Sequence, residues 1–171
     1  MNLEKLATRL GLLISLSLTI CLTIAIQAVA YAYQLPLLDM LVEQNEIDTA
    51  LQSMSDTQLS AHIVVTATLD VVYPLAFTAL FIGSIIVGLP HQYKRYVYAL
   101  LLIVPIDWLE GVVQIMMLTC SQDVMWLKLL LTPVKFMLVL LGILFSLYAW
   151  GRFGYRKWLV ATIAASVNKK P

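Results

Sequence analysis

The sequence predicts an all-α membrane protein built as a bundle of four transmembrane helices. Apolar residues occupy 61% of the 171 positions and charged residues only 12%, which is about half the charged fraction of a soluble domain. The charges are also unevenly distributed, because four long runs contain few of them. This composition excludes a disordered chain, a nucleic-acid-binding protein and an ordinary soluble enzyme.

The four charge-poor runs predict spans at about 10–31, 61–89, 96–119 and 125–150, all within a single transmembrane domain that covers 1–171. Each run is longer than the roughly 20 residues that a helix needs to cross a bilayer. The first span also fits a cleaved signal peptide, because it has a basic start and an Ala-Val-Ala tripeptide near its end. It exceeds the usual signal core of about 7–15 residues, so we expect a retained helix, with cleavage as the alternative.

The distribution of lysine and arginine predicts the orientation. These residues cluster before the first span, between the second and third, and after the fourth, whereas the other two connections carry acids. Because short cytoplasmic loops are enriched in Lys and Arg, we predict that both termini are cytoplasmic, in a bacterial inner membrane. The basic residues are Lys5, Arg9, Lys94, Arg95, Arg152, Arg156, Lys157, Lys169 and Lys170, and the acid of the short third connection is Asp123.

The first connection, about 32–60, carries a helical pattern from Leu35 to Leu51, and Ser55-Asp56 is typical of a helix start. An amphipathic lid over the outer surface and a solvated connector are both compatible with this pattern. The tail after Arg152 is a candidate for lying along the inner interface of the membrane.

Ionisable residues interrupt three of the spans, and each costs about 2.5–3.5 kcal/mol near the bilayer centre. Such side chains face the bundle interior rather than lipid. Counting from the outer helix ends places them at a common depth, roughly 13–18 Å below the outer surface, so we predict that they form one cluster. They are Asp70 in the second span, Asp107 and Glu110 in the third, and Lys135 in the fourth.

Further polar side chains follow one face of each span, at steps of three, four or seven residues. They lie mostly in the outer half, which predicts a polar pocket open to the outer side above an apolar floor and argues against a through-channel. Hydrogen bonding between helices is the alternative for the Ser and Thr residues. The candidate ligand-binding residues are Thr23, Gln27, His62, Thr66, Tyr73, Gln114, Lys128 and Thr132, and nearby prolines that free backbone carbonyls are Pro74, Pro105 and Pro133.

The charge balance of the predicted cluster suggests chemistry. Three carboxylates facing one deep lysine would carry −2 if all were ionised, so either a carboxyl group is protonated or a cation is missing. Asp107 and Glu110, with Asp70, are therefore candidates for acid–base catalysis. Lys135 is a candidate anchor for a carboxylate, or a base.

A purely structural interpretation accounts for the same residues. It pairs Lys135 with one of the aspartates to hold the helices together, and it leaves Glu110 neutral and hydrogen-bonded to Gln114 or Tyr73. The two interpretations predict different exposure of these side chains, because a catalytic pocket admits water or ligand whereas an assembly core is closed.

The sequence predicts no cofactor and no metal. His62 and His91 lie near opposite ends of the second span, on the order of 40 Å apart, so they cannot ligate one haem. The two cysteines, Cys21 and Cys120, form no Cys-x-x-Cys pair, which leaves a disulfide oxidoreductase unsupported. A metal among the carboxylates is a weaker alternative, because the only outer histidine lies two turns from Asp70.

The motifs Asp70-x-x-Tyr73-Pro74 and Asp107-x-x-Glu110, together with Lys135, resemble those of an uncharacterised family of small four-helix bacterial membrane proteins. The likeness covers about half of the chain. In that family the acid of the third helix is followed by Asn, whereas Gly111 follows it here. The resemblance implies the four-helix fold and the importance of these residues, and it implies no activity.

Three functions follow as hypotheses. The first is a pocket that binds, or acts on, a small or lipid-like ligand entering from the outer side. The second is a non-enzymatic membrane subunit whose buried ion pairs specify helix packing or a partner, in a homo- or hetero-oligomer. The third and weaker one is a proton-coupled transporter. Membrane lipid is the expected surrounding partner and nucleic acid is excluded, while the sequence leaves open whether the protein is an enzyme.

Overall fold

The computed structural model describes residues 6–41, 43–90, 97–120 and 124–167. Its helices are α1 (Arg9–Tyr33), α2 (Gln44–Ser53), α3 (Asp56–Gly88), α4 (Val97–Leu100), α5 (Ile103–Cys120) and α6 (Met125–Val167), with a short 3-10 turn at Leu38–Met40. Residues of the sequence-based predictions that lie outside the described residues are Lys5, His91, Lys94, Arg95, Asp123, Lys169 and Lys170.

Four stretches are long and apolar enough to cross a membrane, namely Arg9–Tyr33, Asp56–Gly88, Val97–Thr119 and Met125–Val160. They coincide with the four predicted spans, so the prediction of an all-α protein with four candidate spans is confirmed. We call the end of the bundle at which α2 lies the α2 end. The other end, where α1 begins and α3 terminates, is the opposite end.

Helix α3 is the centre of the bundle, because it packs against α1, α5 and α6, while α5 also packs on α6. At the opposite end α3 and α6 approach backbone to backbone, since a Cβ atom on Gly88 would overlap the main chain of Ala149. The indole nitrogen of Trp150 also donates a hydrogen bond to Ser84 Oγ, at 3.2 Å. These contacts fix α6 against α3 at the opposite end of the bundle.

The third span is broken near its start. Helix α4 ends at Leu100 and α5 begins at Ile103, whereas the sequence analysis predicted one helix over 96–119. Pro105 explains the break, because its ring lacks an N–H and clashes with the carbonyl group one turn earlier, that of Leu101. The prediction was therefore wrong over residues 101–102. Two other prolines, Pro74 and Pro133, lie inside continuous helices.

Helix α6 is longer than the predicted span of 125–150. It has 43 residues and a rise of about 64 Å, more than twice the roughly 30 Å of a hydrocarbon core. Gly151 and Gly154 lie within it without interrupting it. The tail after Arg152 therefore continues the same helix, and its position at the membrane interface stays a prediction.

The first connection is partly helical, as predicted, and its helical parts are the 3-10 turn and α2. Ile47 of α2 is completely buried. It packs with Met117 of α5 and Met125 of α6. The connection therefore covers the α2 end of the bundle, which favours the lid over the solvated connector.

The predicted helix start at Ser55 is confirmed as a capping box. Gln58 Oε1 accepts a hydrogen bond from the backbone N–H of Ser55 at 2.9 Å, and Ser55 Oγ accepts one from the N–H of Gln58 at 3.4 Å. The amide nitrogen of Gln58 also donates to the carbonyl oxygens of Tyr33 and Gln34. One side chain thus starts α3 and satisfies the carbonyl groups at the end of α1.

Two apolar clusters flank a polar layer along the bundle axis. Their positions on α5 and α6 place one at the α2 end and the other toward the opposite end, with the charged residues of both helices between them. The cluster toward the opposite end corresponds to the predicted apolar floor. Its buried members are Phe77, Ile82, Ile85, Leu89, Val97, Leu100, Ile103 and Ala149, and those of the other are Ile47, Val113, Met117 and Met125.

Candidate functional site

Lys135 of α6 is the centre of the polar layer. Its ammonium nitrogen lies 3.0 Å from Asp39 Oδ2, 3.2 Å from Asp107 Oδ1 and 2.5 Å from Glu110 Oε2. The three carboxylates come from the first connection and from two successive turns of α5. One cation therefore joins α6, α5 and the connection, and three of the four residues predicted to cluster contact or nearly contact one another.

Glu110 occupies the sealed part of this layer. Its side chain is 1% exposed, and that of Lys128, whose ammonium nitrogen lies 3.5 Å from Glu110 Oε1, is 0% exposed. The hydroxyl of Thr132 donates a hydrogen bond to Glu110 Oε1 and accepts one from Lys128 at 3.3 Å. Because Lys135 lies 2.5 Å from the second oxygen, the carboxyl group of Glu110 lies between two ammonium groups.

This arrangement differs from the structural alternative of the sequence analysis, which paired Glu110 with Gln114 or Tyr73. The amide nitrogen of Gln114 instead donates to Asp39 Oδ1, and the hydroxyl group of Tyr73 is hydrogen-bonded to that of Thr23 at 3.2 Å. The two predicted partners of Glu110 thus tie other segments, the first connection and α1, to the helices of the layer.

Asp39 is the site residue that the sequence analysis missed. It lies in the 3-10 turn, where burial raises the pKa of its carboxyl group, but the charge of Lys135 and the hydrogen bond from Gln114 outweigh burial and hold the pKa below the ordinary 3.8. Its side chain is still 41% exposed, so solvent screens part of this attraction. An acid inside the otherwise apolar run 35–41 was the available sequence signal.

Asp70 of α3 completes the predicted set in a different way. It lines a cavity together with Asp107 and Lys135, but among the described residues it forms no ion pair. Its neighbour one turn earlier, Thr66, has its hydroxyl oxygen 3.3 Å from the imidazole nitrogen Nδ1 of His62. Asp70 is therefore the carboxyl group of the layer that faces the cavity without a paired cation.

Proline chemistry adds to the polarity at Asp70. Pro74 has no N–H to offer to the carbonyl group of Asp70, one turn earlier in α3. The indole nitrogen of Trp108 donates to the adjacent carbonyl, that of Val71, at 3.0 Å. Helix α5 is thereby joined to α3 at the level of the charged layer.

The cavity has a volume of about 440 Å³ and lies between α1, α3, α6 and the first connection, with Asp107 of α5 also in its wall. Its polar lining comprises candidate residues named above together with Asp39 and Thr19, and the rest of its wall is apolar. Of the predicted site residues it is lined by Thr23, Gln27, His62, Asp70, Tyr73, Asp107 and Lys135, whereas Thr66, Glu110, Gln114, Lys128 and Thr132 do not line it.

The prediction of a mouth toward the outer side stays a prediction. Residues 35–40 of the first connection form its wall at the α2 end. Helix α1 packs on α3, and within the described ranges it makes at most slight contact with α6. The gap between α1 and α6 is therefore a lateral boundary of the cavity, facing the surroundings of the bundle.

The charges of the layer do not balance. Four carboxylates, those of Asp39, Asp70, Asp107 and Glu110, face the two ammonium groups of Lys128 and Lys135. Since the ammonium group of Lys135 lies between three of the acids, Asp70 is the acid of the layer that has no ion pair among the described residues. In the part of the chain that the structure describes, no group of His, Cys, Asp or Glu side chains is arranged to hold a metal ion.

The chain was compared with family models, with curated proteins and with solved structures, and none of them matches it. The function must therefore be argued from the site itself.

Proposed function

We propose that this chain is an integral membrane protein whose lateral cavity binds an amphiphilic, lipid-like ligand. One observation carries the proposal: charged groups of four elements line one part of a cavity whose remaining wall is mostly apolar and which borders the gap between α1 and α6. A ligand that matches this wall has a polar head and an apolar body. Asp70 and Asp107 are the carboxyl groups placed to exchange a proton with it if it is also transformed.

The size and composition of the cavity support a ligand rather than a packing defect. Its volume of about 440 Å³ falls within the roughly 300–1,000 Å³ of small-molecule sites, which are mostly apolar with a few convergent polar groups. A ligand reaching it through the α1–α6 gap would enter from lipid, since the exposed faces of both helices are apolar. Lipid-soluble molecules are therefore the natural candidates.

The ligand proposal can be tested by filling the cavity. Val139 lines it, whereas the next residue, Leu140, is 55% exposed and does not. The full-length protein would be purified in a mild detergent from membranes of known lipid composition, and bound lipid would be counted by native mass spectrometry. We expect the wild type and Leu140→Trp to retain a bound amphiphile and Val139→Trp to lose it. Equal retention by all three proteins, or none by the wild type, would overturn the proposal.

We further propose a multi-pass protein of a bacterial inner membrane with both termini in the cytoplasm. Support comes from the four candidate spans, because an even number of crossings is compatible with both termini on one side, and from the basic residues at both termini. Reporter fusions at the C-terminus, active in one compartment only, test this arrangement. A fusion that is active on the outer side would reverse it.

A second function is favoured by the sealed part of the layer. Glu110, Lys128 and Thr132 do not line the cavity and are almost without solvent exposure, which is the arrangement expected of a group that specifies helix packing. A subunit that only assembles with a partner would need this triad and not the cavity. The cavity-filling experiment separates the two functions, because Val139→Trp leaves the triad untouched.

A further inference from the structure

We propose that the ligand is an amphiphile with a cationic amine head and an alkyl chain, the amine lying at Asp70 and Asp107 and the chain running along the α1–α6 gap toward Arg9. This inference rests on the binding function proposed above and specifies its ligand class. Two independent features carry it, the shape of the apolar space and the sign of the uncompensated charge.

The first feature is a second cavity that continues the first. It has a volume of about 560 Å³, lies toward the opposite end, and is bounded by α1, α3 and α6 like its neighbour. Leu80, Phe81 and Ile143 line both cavities. The two spaces therefore form one groove, which starts at the charged layer and continues between the same three helices.

The length of this groove suits a hydrocarbon chain. On α1 its lining residues extend from Thr23 near the charged layer to Arg9 at the helix start. This separation corresponds to about 21 Å along a helix, which exceeds half of a hydrocarbon core of roughly 30 Å. The groove is thus long enough for an extended alkyl chain of a membrane lipid, and much longer than a compact solute requires.

The walls of the groove are suited to the same occupant. Beyond the charged layer they consist mostly of Leu, Phe and Ile side chains, with Ser84 and Ser146 toward the far end. A Cβ atom on Gly142 of α6 would overlap the ring of Phe81. The ring therefore packs closely against α6 and forms part of the groove wall between α3 and α6. An alkyl chain lying on this wall buries apolar surface against mostly apolar side chains, which is favourable.

The second feature, the charge at the head of the groove, selects an amine. Lys135 already contacts three carboxylates, so it has little attraction left for an anionic head. Asp70 faces the cavity without a cation, and Asp107 lies next to it on the same wall. An anionic head would face these acids without gaining a cation, whereas a primary amine or quaternary ammonium would pair with the ionised form of Asp70.

A matched series of amphiphiles tests the inference. Hexadecylamine, hexadecanol and hexadecanoate would be added at equal mole fraction to the purified full-length protein in maltoside micelles, and the shift of its melting temperature would be followed. We expect the amine to bind about tenfold more tightly than the alcohol and the carboxylate not to stabilise the protein. In Asp70→Asn the amine should lose its advantage over the alcohol.

The position of the chain is tested by a pair of adjacent variants. Ile143 lines both cavities, and Leu144 is 53% exposed and lines neither. Ile143→Trp should abolish stabilisation by the amine and the alcohol, and Leu144→Trp should preserve it. If the two tryptophan variants have equal effects, the proposal that the alkyl chain lies in the groove is wrong. If wild-type protein binds the amine and the alcohol equally, or prefers the carboxylate, the proposal of a cationic head group is wrong. If wild-type protein is stabilised by none of the three, the binding function proposed above fails as well.

Discussion

The ammonium group of Lys135 and the carboxylate of Asp39 lie 3.0 Å apart, although one belongs to the middle of a span and the other to a connection 96 positions earlier in the chain. The contact fastens the segment that covers the α2 end to the charged layer inside the bundle. Any change at Lys135 therefore alters the interior of the protein and its cover together.

Replacing Lys135 with methionine is expected to destabilise the protein strongly. The substitution keeps most of the side-chain volume but leaves Asp107 without its cation and Glu110 with only Lys128, and breaking a buried ion pair by removing one partner costs about 3–5 kcal/mol. Thermal unfolding in detergent provides the measurement. Lys157→Met serves as the control, because Lys157 is exposed and contacts the ring of Phe153. If both variants melt like the wild type, the ion pairs at Lys135 do not stabilise the fold.

Replacing Asp39 with asparagine should loosen the cover without unfolding the spans. The variant loses the ion pair with Lys135, and we expect faster amide hydrogen exchange over residues 38–53, with little change in α3 and α6. Glu43→Gln is the matched control, since Glu43 is exposed and its side chain makes no capping hydrogen bond. Unchanged exchange in the Asp39 variant would contradict the role of this contact.

The same contact predicts a pH dependence. The pKa of Asp39 in the folded protein lies below its ordinary value of 3.8, so the ionised form favours the folded state. Its contribution is complete above that ordinary value and is lost as the pH falls through the lower pKa of the folded protein. Exchange over residues 38–53 should therefore accelerate in this acid range in the wild type and depend less on pH in Asp39→Asn.

Helical periodicity explains which residues of this site could be predicted from the sequence. Asp107, Glu110 and Lys135 were expected to converge because their positions along two antiparallel spans give them a common depth, and an ionised side chain must face the interior. The structure brings them together for that reason. Asp70 was expected at the same level, and it lines the cavity with Asp107 and Lys135. Periodicity does not tell which acid pairs with the lysine, and it is Asp70 that lacks an ion pair among the described residues.

Connections follow no such period, and this explains what the sequence analysis missed. The conformation of this connection depends on tertiary packing of Leu38 and Ile47, both buried, so spacing left the lid and the solvated connector as alternatives and did not predict the inward position of Asp39. The same cover explains the burial of Lys128, which lies near the start of α6, where the sequence placed it close to the outer surface. The break at residues 101–102, by contrast, was readable from Pro105.

Glu110 and Asp107 should respond differently to neutralisation, although both belong to the motif that suggested acid–base chemistry. Glu110→Gln leaves two ammonium groups, one of them completely buried, without their shared carboxylate, and we expect a loss of about 3–5 kcal/mol in the free energy of unfolding. Asp107 is 14% exposed and lines the cavity, so Asp107→Asn should unfold close to the wild type and bind hexadecylamine more weakly. Comparable melting temperatures for the two variants would contradict the division of the layer into sealed and open parts.

The open part of the layer should be chemically reachable from lipid. Dicyclohexylcarbodiimide is a membrane-soluble reagent for carboxyl groups in apolar surroundings. Asp70 lines the cavity beside the lateral gap, whereas Glu110 is enclosed by two lysines and a threonine. Treating the protein in vesicles and mapping the adducts by peptide mass spectrometry should locate them mainly on the peptide that contains Asp70. Asp70→Asn should lose that adduct. Glu46, an exposed acid of α2, is the control for labelling by reagent in the aqueous phase. Labelling of Glu110 in preference to Asp70 would show that the cavity and the sealed triad have been assigned the wrong way round.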